Sequence, residues 1–244
     1  KTKTIMPVHI YGQPCNMEEI IHIAKENNLF IIEDCAEAHG AKYMNKKVGS
    51  FGDIGCFSFF GNKVITTGEG GMCVTNNKDL YDKMNMLRDH GMSKTKRYWH
   101  DSIGFNYRMT NLQASIGIAQ LERIDKLISI RNNLELAYKD GLKDIGMISF
   151  QKNIANCEKI VWLVSILIEN KRNNLIELLK NNGIDVRAFF YPLSIMPIYK
   201  NYVFSNENSK KISEMGINLP TGNTISQSIL DKTIKIIKDF CHSI

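Results

Sequence analysis

Residues 56–63 read Cys-Phe-Ser-Phe-Phe-Gly-Asn-Lys, and the interpretation of the whole chain depends on the lysine at the end of this stretch. The apolar run that starts at Ile54 predicts a buried strand, which Gly61 ends. A lysine just past a buried strand and flanked by glycines can be shielded from water, and desolvation favours its neutral amine. Because a neutral amine attacks carbonyl groups, Lys63 is a candidate nucleophile. The structural alternative is an ordinary surface lysine in a loop.

A carboxylate is predicted at the end of a neighbouring strand. Residues 29–32 read Leu-Phe-Ile-Ile and are followed by Glu33 and Asp34. An earlier strand is predicted at residues 4–10, and a helix capped by Asn16 separates the two. A strand, a helix and a second strand in this order favour a parallel sheet. The sequence therefore predicts an α/β fold.

The ends of these strands carry groups that suit pyridoxal phosphate (PLP). Because the carboxyl ends of parallel strands meet at one sheet edge, Asp34 and Ser58 are expected close to Lys63. The lysine can form a Schiff base, the carboxylate can keep the pyridine nitrogen protonated, and small polar groups can hold the phosphate. Two structural alternatives stay open: Asp34 could be a loop anchor or a helix cap, and Ser58 could be a strand hydroxyl bonded to backbone.

Composition and charge argue against several classes of protein. A hydrophobic fraction of 43% and a charged fraction of 23% over 244 residues are those of a globular protein with one large domain or two modest ones. The net charge of +6 is spread without a block of about five like charges, which argues against a nucleic-acid partner. No apolar run approaches the ~18 residues of a membrane span, so no membrane partner is expected.

The six cysteines indicate a reducing compartment. They include no Cys-x-x-Cys pair, so neither a disulfide framework nor a zinc site is predicted, and we expect no metal. Cys35, Cys56 and Cys73 lie in or beside apolar runs and are predicted to be small buried hydrophobic residues. We expect a cytoplasmic location, because no apolar signal-peptide core follows residues 1–5.

The second half of the chain predicts a separate α/β domain. A long helix is predicted from Leu112 to about Leu142, with Asn111 as its cap. The elements predicted after it are a strand at 160–168, a helix at 171–181, a short strand or turn at 216–220 and a last helix capped by Ser226. We place the domain boundary near residue 130. A nicotinamide-binding Rossmann enzyme is disfavoured, because no Gly-x-Gly-x-x-Gly motif follows the first strand.

Residues 7–123 contain a series of motifs. They read Val-His-Ile-Tyr-Gly-Gln at 8–13, Ile-Glu-Asp-Cys-Ala-Glu-Ala-His-Gly-Ala at 32–41, Gly-Ser-Phe-Gly-Asp-Ile at 49–54, Phe-Ser-Phe-Phe-Gly-Asn-Lys at 57–63, Gly-Glu-Gly-Gly at 68–71 and Phe-Asn-Tyr-Arg-Met at 105–109. This series closely resembles the DegT/DnrJ/StrS family, the PLP-dependent aminotransferases of sugar-nucleotide biosynthesis. The resemblance implies PLP fold type I, with 1–130 as the C-terminal part of the large, mostly parallel-sheet domain and 131–244 as the small α/β domain.

The resemblance also implies a role for each matching residue. Lys63 would carry PLP as a Schiff base and act as the base in the proton shift. Asp34 would pair with the pyridinium nitrogen, Glu37 would lie beside the ring, and Ser58 would bind the phosphate. Asn106 would reach that phosphate from the neighbouring subunit of a homodimer, so that the active sites are shared. From the residues alone, Asn106 could also be a turn residue.

Substrate contacts are implied in the second domain. Arg187 and Tyr191 belong to the segment 186–192, which is similar to a family segment near the sugar-nucleotide site. The segment departs from the family pattern at Ala188, and Ser194 departs shortly after it, so the sugar contact there is open. A surface ion pair is the structural alternative for Arg187. The basic and aromatic loop at 94–100 is a candidate for nucleotide or dimer contacts, with a solvated loop as its alternative.

The activity implied by the resemblance is amino transfer to a nucleotide-linked 4-keto-6-deoxyhexose, with an amino acid, which we expect to be glutamate, as the donor. Segments 59–63 and 97–101 are most similar to the members that aminate GDP-4-keto-6-deoxymannose. Related dehydratases have His at the position of Lys63, so dehydratase chemistry is disfavoured. Members of the family usually have roughly a further third of chain before the 8–13 motif. The sequence therefore also admits a second hypothesis, a non-catalytic or complementing fragment that binds no PLP alone.

Overall fold

The computed structural model describes residues 1–202 and 206–243. The chain forms two compact units, and each is described by itself. The first unit contains Lys1–Leu127 and Asn153–Ile160, and the second contains Ile128–Lys152 and the residues from Val161 onwards. The division after Leu127 lies close to the predicted boundary at residue 130, whereas residues 153–160 return to the first unit. The predicted domain assignment itself stays a prediction.

The two units contain both strands and helices. In chain order they are β1 Thr4–Ile5, α1 Met17–Glu26, β2 Phe30–Asp34, β3 Lys42–Tyr43, β4 Lys46–Lys47, β5 Ile54–Ser58, β6 Gly71–Val74, α2 Lys78–Arg88, α3 Asn111–Leu121, α4 Ile124–Leu142, β7 Ile148–Phe150, β8 Cys157–Glu158, β9 Val164–Ile168, α5 Arg172–Asn181, β10 Arg187–Ala188, α6 Glu207–Met215, β11 Gly216–Leu219 and α7 Gln227–His242. Short 3₁₀ helices occur at Ile10–Gly12, Leu193–Ile195 and Pro197–Tyr202.

The main sheet of the first unit has the strand order β1-β2-β5-β6. β2 is parallel to β1 and to β5, and β6 runs antiparallel to β5 at the edge. In the β2–β5 pair Asp34 lies opposite Cys56, so the carboxyl ends of the two strands lie side by side. The parallel α/β fold predicted from the sequence is confirmed.

Asn16 caps the start of α1, and Pro7 limits the length of β1. The Asn16 side chain accepts a hydrogen bond from the Glu19 N–H, which satisfies one free donor of the first turn of α1. The strand predicted at 4–10 is only Thr4–Ile5. Pro7 has no N–H to give to the ladder, and only its carbonyl pairs, with the Asp34 N–H at 2.9 Å. The chain then turns through the 3₁₀ helix at Ile10–Gly12.

The long helix predicted from Leu112 to Leu142 is two helices, α3 and α4, separated at residues 122–123. The predicted cap, Asn111, was also wrong by one residue. Thr110 accepts the Gln113 N–H, and the Gln113 side chain accepts the Thr110 N–H in return, which forms a reciprocal capping box. The apolar residues keep their helical spacing across the turn, so the sequence pattern does not reveal the break.

A buried carboxylate holds the loop before β5 against β2. Glu33 accepts the N–H groups of Gly49, Phe51 and Gly52, each at 2.7 Å. The Nε2 atom of His9 lies 3.2 Å from the same carboxylate. Because the Cys15 N–H donates to Nδ1 of His9, the ring proton must lie on Nε2 and point at Glu33. Burial alone would raise the pKa of Glu33, but these hydrogen bonds outweigh it and hold that pKa below its ordinary value.

Three of the cysteines test the prediction of burial. Cys35 is buried, and Cys56 is half-buried, but Cys73 is exposed. The prediction was therefore wrong for Cys73. Its apolar neighbours belong to β6, which is the edge strand of the main sheet and is exposed along its whole length. An apolar run predicts a strand but not the position of that strand in a sheet.

The second unit has an antiparallel sheet in the order β10-β11-β9-β7. Its core packs side chains of α4, α5 and α7 on β9 and β11, and fully buried members include Tyr138, Ile166, Leu175, Ile217 and Ile237. The last helix is capped as predicted, since the Ser226 side chain accepts the Ile229 N–H. The sequence predicts a segment rich in loops at residues 193–208, and residues 203–205 of that segment lie outside the described residues.

The longest helix, α4, has 19 residues and carries several charged side chains. Over residues 1–202 and 206–243, no helix combines the length and the apolar character that crossing a membrane requires.

Candidate active site

Lys63 lies in the turn that follows β5, where its N–H donates to the Phe60 carbonyl at 3.0 Å. Its side chain is only 11% exposed, and its Nζ atom lies 3.8 Å from Oε1 of Glu37. Burial lowers the pKa of Lys63, and the negative charges of Glu37 and Asp34 offset this only in part. The structure therefore has the shielded amine that the sequence predicted.

Glu37 is the buried neighbour of that amine. Its Oε2 atom accepts the Tyr11 N–H at 2.7 Å, while Oε1 faces Lys63. Burial raises the pKa of Glu37, and the Tyr11 hydrogen bond and the charge of Lys63 oppose the rise without cancelling it. Burial thus shifts the pKa of Lys63 downwards and that of Glu37 upwards, and such perturbed pairs are typical of functional sites.

Tyr11 is a contributor that sequence reasoning missed. It has a left-handed backbone with φ of 52°, which directs its N–H at Glu37. Gly12 follows with φ of 81°, and a Cβ atom there would lie 2.1 Å from the Ile160 carbonyl oxygen. The Tyr-Gly pair in the 8–13 motif is typical of a tight turn, but a turn signal does not reveal which acceptor its N–H will find.

Asp34 and Ser58 lie at the ends of the two parallel strands. Asp34 is half-buried, and its Oδ1 atom accepts the Ala36 N–H at 3.0 Å. Ser58 is half-buried, and its hydroxyl accepts the Phe60 N–H at 3.3 Å. An accepting hydroxyl keeps its own proton available for donation to an anion. The bonds to backbone match the structural alternatives for both residues but also leave polar atoms at the sheet edge.

The part of the loop that follows Lys63 is held by two side chains that the sequence did not single out. The Thr66 N–H donates to Oε1 of Gln120, at the end of α3, at 3.1 Å. Gln113, in the first turn of α3, donates through Nε2 to the Glu69 carbonyl at 3.0 Å. These long-range contacts fix the loop against α3. No local pattern predicts them, because the partners are more than forty residues apart.

Aromatic rings line β5 on the side of His39. The buried His39 ring lies 5.6 Å from the Phe57 ring and 5.9 Å from the Phe59 ring, measured between centroids. These ring contacts favour a structural role in packing for His39. They also stiffen the strand that ends in Ser58.

Asn106 belongs to the first unit but lies on a different segment, after α2. It is exposed and forms an isolated antiparallel bridge with Asp89. Next to it, Phe105 and Tyr107 stack with ring centroids 5.0 Å apart. A place for Asn106 in the site of a neighbouring subunit stays a prediction.

Arg187 and Tyr191 belong to the second unit, and both are exposed. Arg187 lies on the edge strand β10, opposite Asn218 of β11. The substrate contacts of Arg187 and Tyr191 stay predictions.

The described residues include one cluster of metal-ligand types, His9, Glu33 and Cys35, with ligand atoms within 4.8 Å of one another. The lone pairs of Glu33 and of Nδ1 of His9 already accept protein N–H groups. Burial raises the pKa of Cys35, which favours the thiol over the thiolate that a metal requires. This cluster is therefore a hydrogen-bonded support for the loop and not a metal centre.

The first unit thus assembles a desolvated amine, a buried proton-holding carboxylate, and a carboxylate and a hydroxyl at neighbouring strand ends. Such a set can attack a carbonyl carbon, move a proton and hold an anionic or aromatic ligand. The chain belongs to the DegT/DnrJ/EryC1/StrS aminotransferase family, whose pattern matches residues 1–238.

Similar proteins with assigned activities support this membership. The chain is 45% identical over 242 residues to the GDP-perosamine synthase of Escherichia coli O157:H7, covering 98% of this chain and 66% of that protein. It is 43% identical over 243 residues to the GDP-perosamine synthase of Caulobacter vibrioides, covering 96% and 65%. The chain thus spans about two thirds of the length of the curated relatives that it matches.

A solved structure confirms the fold. Helicobacter pylori PseC, an aminotransferase involved in the biosynthesis of pseudoaminic acid, superposes with a TM-score of 0.93 at 27% identity, over 100% of this chain and 68% of that chain. A putative sugar aminotransferase of Streptococcus pneumoniae, solved in PLP and PMP forms, gives TM-scores of 0.90 and 0.91 at 25% identity. The chain therefore has the fold of the PLP-dependent sugar aminotransferases, as predicted.

The residues present fit PLP. Lys63 offers a shielded amine, Asp34 offers a carboxylate at the end of β2, and the Ser58 hydroxyl at the end of β5 keeps its proton for a phosphate oxygen. The chemistry of this donor set matches an aldehyde, a pyridine nitrogen and a phosphate, which are the three polar parts of PLP.

Proposed function

We propose that the protein is a PLP-dependent aminotransferase that moves an amino group from an amino acid, glutamate in our proposal, to C4 of a nucleotide-linked 4-keto-6-deoxyhexose. The proposed substrate is GDP-4-keto-6-deoxymannose and the product GDP-perosamine. The support for this substrate is the identity of 42–45% to three GDP-perosamine synthases over nearly the whole chain. Such a product is a precursor for surface polysaccharide.

The observation that carries the proposal is the Lys63–Glu37 pair. A lysine whose side chain is nearly buried and whose pKa is lowered by that burial loses its proton more easily than a surface lysine, and the deprotonated amine is the form that attacks an aldehyde. The charges of Lys63 and Glu37 stabilise each other, but burial outweighs this and shifts the pKa of Lys63 downwards and that of Glu37 upwards. Lys63 is therefore the group proposed to hold the cofactor and to carry the proton during amino transfer.

The other residues hold the cofactor and the protons around it. Bound PLP would supply an aldehyde group that takes up the amino group of the donor and a pyridine ring that withdraws electrons. Asp34 would hold a proton at the pyridine nitrogen, and Ser58 would donate its hydroxyl proton to the phosphate. Glu37, fixed by the Tyr11 N–H, would keep a proton close to Nζ of Lys63.

Several finer parts of the proposal rest on family resemblance. The working form is a homodimer with shared active sites, in which Asn106 reaches the partner's phosphate site. Arg187 and Tyr191 contact the nucleotide sugar. The location is cytoplasmic, in keeping with free cysteines. Cross-linking of the Asn106→Cys variant tests the dimer contact, and a link between two subunits is the expected result. The KM for the nucleotide sugar tests the contact of Arg187, and it should rise in Arg187→Ala.

The cofactor is tested by the visible absorption spectrum of the purified chain mixed with PLP. A band that appears in the wild type and is lost in Lys63→Ala supports the proposal. Lys25→Ala is the matched control, because Lys25 lies on the exposed face of α1, and it must keep the band. Absence of a band at every PLP concentration contradicts cofactor binding by this chain and favours the non-catalytic hypothesis.

The substrate is tested separately with a panel of 4-keto-6-deoxy sugars linked to GDP or dTDP, with glutamate as the donor. Formation of the 4-amino sugar from the GDP-linked mannose derivative, measured by mass spectrometry, supports the proposed acceptor. Preference for a dTDP-linked sugar would support the proposed class of reaction but contradict the proposal that the nucleotide is GDP.

A further inference from the structure

Two cysteines lie directly opposite each other on the strands that flank the Lys63 loop. Cys56 on β5 pairs in register with Cys73 on β6. Their Sγ atoms are 3.8 Å apart, within reach of an S–H···S hydrogen bond. The other four cysteines lie outside this pair, and Cys35 and Cys241 are buried. The pair plays no part in the proposed amino transfer.

The backbone geometry at this pair suits a disulfide. Directly opposed residues of antiparallel strands have Cα atoms about 4.5 or 5.5 Å apart. A disulfide requires a Cα separation of about 4.4–6.8 Å. For the bond to form, the separation of the two sulfur atoms must shrink from 3.8 Å to about 2.05 Å.

The pair is also polarised. The hydrogen bond between the two sulfur atoms lowers the pKa of Cys73 and raises the pKa of Cys56. Cys73 is also the exposed member of the pair, so it is the one that an oxidant in solution reaches first. A thiolate is the form of cysteine that oxidants attack. Cys56, half-buried and 3.8 Å away, is placed to resolve an oxidised Cys73.

We propose that Cys56 and Cys73 form a reversible oxidation site, in which a hydroperoxide converts the two thiols to a disulfide. The Cys73 thiolate attacks the peroxide, which breaks the O–O bond and gives a sulfenic acid and, for hydrogen peroxide, water. The Cys56 sulfur then attacks the sulfenic sulfur, forms the S–S bond and releases a second water. In total, two thiols are oxidised and one peroxide is reduced, and a thiol reductant reverses the change.

The disulfide would close a loop that contains Lys63. Residues 57–72 would be tied at both ends, and Ser58, opposite Gly71, would be fixed two positions from the new bond. An effect on PLP affinity rests on the proposed function, whereas disulfide formation does not. The two can therefore fail independently.

The test is peptide mapping of the full chain after treatment with hydrogen peroxide. Free thiols are blocked with iodoacetamide, and the protein is digested with trypsin. Cleavage after Lys47, Lys63 and Lys78 puts the cysteines in separate peptides, 48–63 and 64–78, each with one cysteine. The expected product is a linked pair with the summed mass less two hydrogens, which disappears on treatment with dithiothreitol.

Variants separate this pair from general oxidation. Cys56→Ser should lose the linked peptide and accumulate a sulfenic acid at Cys73 that dimedone traps. Cys73→Ser should leave Cys56 unmodified at the same peroxide dose, and Cys157→Ser should behave like the wild type. The proposal is overturned if Cys73 goes directly to sulfinic acid with Cys56 still present, if it links to another cysteine instead, or if neither residue reacts.

Discussion

Glu33 and Glu37 lie four residues apart and are both buried, yet their pKa values move in opposite directions. Glu33 accepts three backbone N–H groups and faces the Nε2 proton of His9. Glu37 accepts one backbone N–H and faces Lys63. The number of fixed donors therefore decides the direction of the shift: the hydrogen bonds to Glu33 outweigh burial and lower its pKa, whereas burial dominates at Glu37 and raises its pKa.

Removal of Glu33 should have the largest effect on stability. Glu33→Ala leaves the N–H groups of Gly49, Phe51 and Gly52 and the His9 ring proton without their acceptor. Each unsatisfied buried donor costs about 1–3 kcal/mol, so we expect the free energy of unfolding to fall by about 3 kcal/mol or more. Denaturant unfolding measures this, with the exposed Glu18→Ala as a control. A loss below about 1 kcal/mol would show that the hydrogen bonds do not hold the loop.

Loss of the Ser58 hydroxyl should weaken cofactor binding without a comparable effect on the fold. Ser58→Ala removes one acceptor for the Phe60 N–H, at a half-exposed position. A hydrogen bond to a charged phosphate contributes about 1.5–3 kcal/mol, so the Kd for PLP should rise roughly tenfold or more. Fluorescence titration with PLP gives the value. An unchanged Kd would remove Ser58 from the phosphate site.

The two glutamates should give opposite pH dependences of stability. The folded pKa of Glu33 lies below the ordinary value of 4.5, so its contribution is present above pH 4.5 and is lost as the pH falls through the folded pKa. The folded pKa of Glu37 lies above 4.5, so its contribution is present below pH 4.5 and is lost as the pH rises through the folded pKa. Each unit of pKa shift corresponds to about 1.4 kcal/mol.

The two pH dependences can be measured as the difference in unfolding free energy between the wild type and each Glu→Gln variant, determined over a range of pH. The destabilisation by Glu33→Gln should shrink on acidification below pH 4.5. Glu37→Gln should become more favourable relative to the wild type as the pH rises. Parallel slopes for the two variants would contradict the comparison between the two carboxylates.

The smallest effect on stability is expected for Glu37→Gln at a pH near the pKa that Glu37 has in the folded wild type. The amide oxygen can still accept the Tyr11 N–H, so the unfolding free energy should change by less than about 1 kcal/mol. Loss of the negative charge should lower the pKa of Lys63 further, because Glu37 raises it now. The midpoint of PLP binding against pH should therefore move to lower pH, and a move to higher pH would refute the role of Glu37.

Much of the site could be predicted because it follows from strand order. Asp34 and Ser58 end parallel strands, so the sequence was enough to bring them to one edge together with Lys63. The Tyr11–Glu37 bond could not be predicted, because it depends on a left-handed backbone and on a partner 26 residues away. The exposure of Cys73 depends on β6 being an edge strand, which apolar composition does not encode.

The central claim is that Nζ of Lys63 holds the cofactor. The most direct test is to mix the chain with PLP, reduce with borohydride, digest, and locate the pyridoxyl group by mass spectrometry. The account predicts a pyridoxyl group on Lys63. When excess hydroxylamine is added before the reduction, it competes for the aldehyde of PLP, and Lys63 should then carry no pyridoxyl group. Modification of exposed lysines alone, with Lys63 unmodified, would contradict the account.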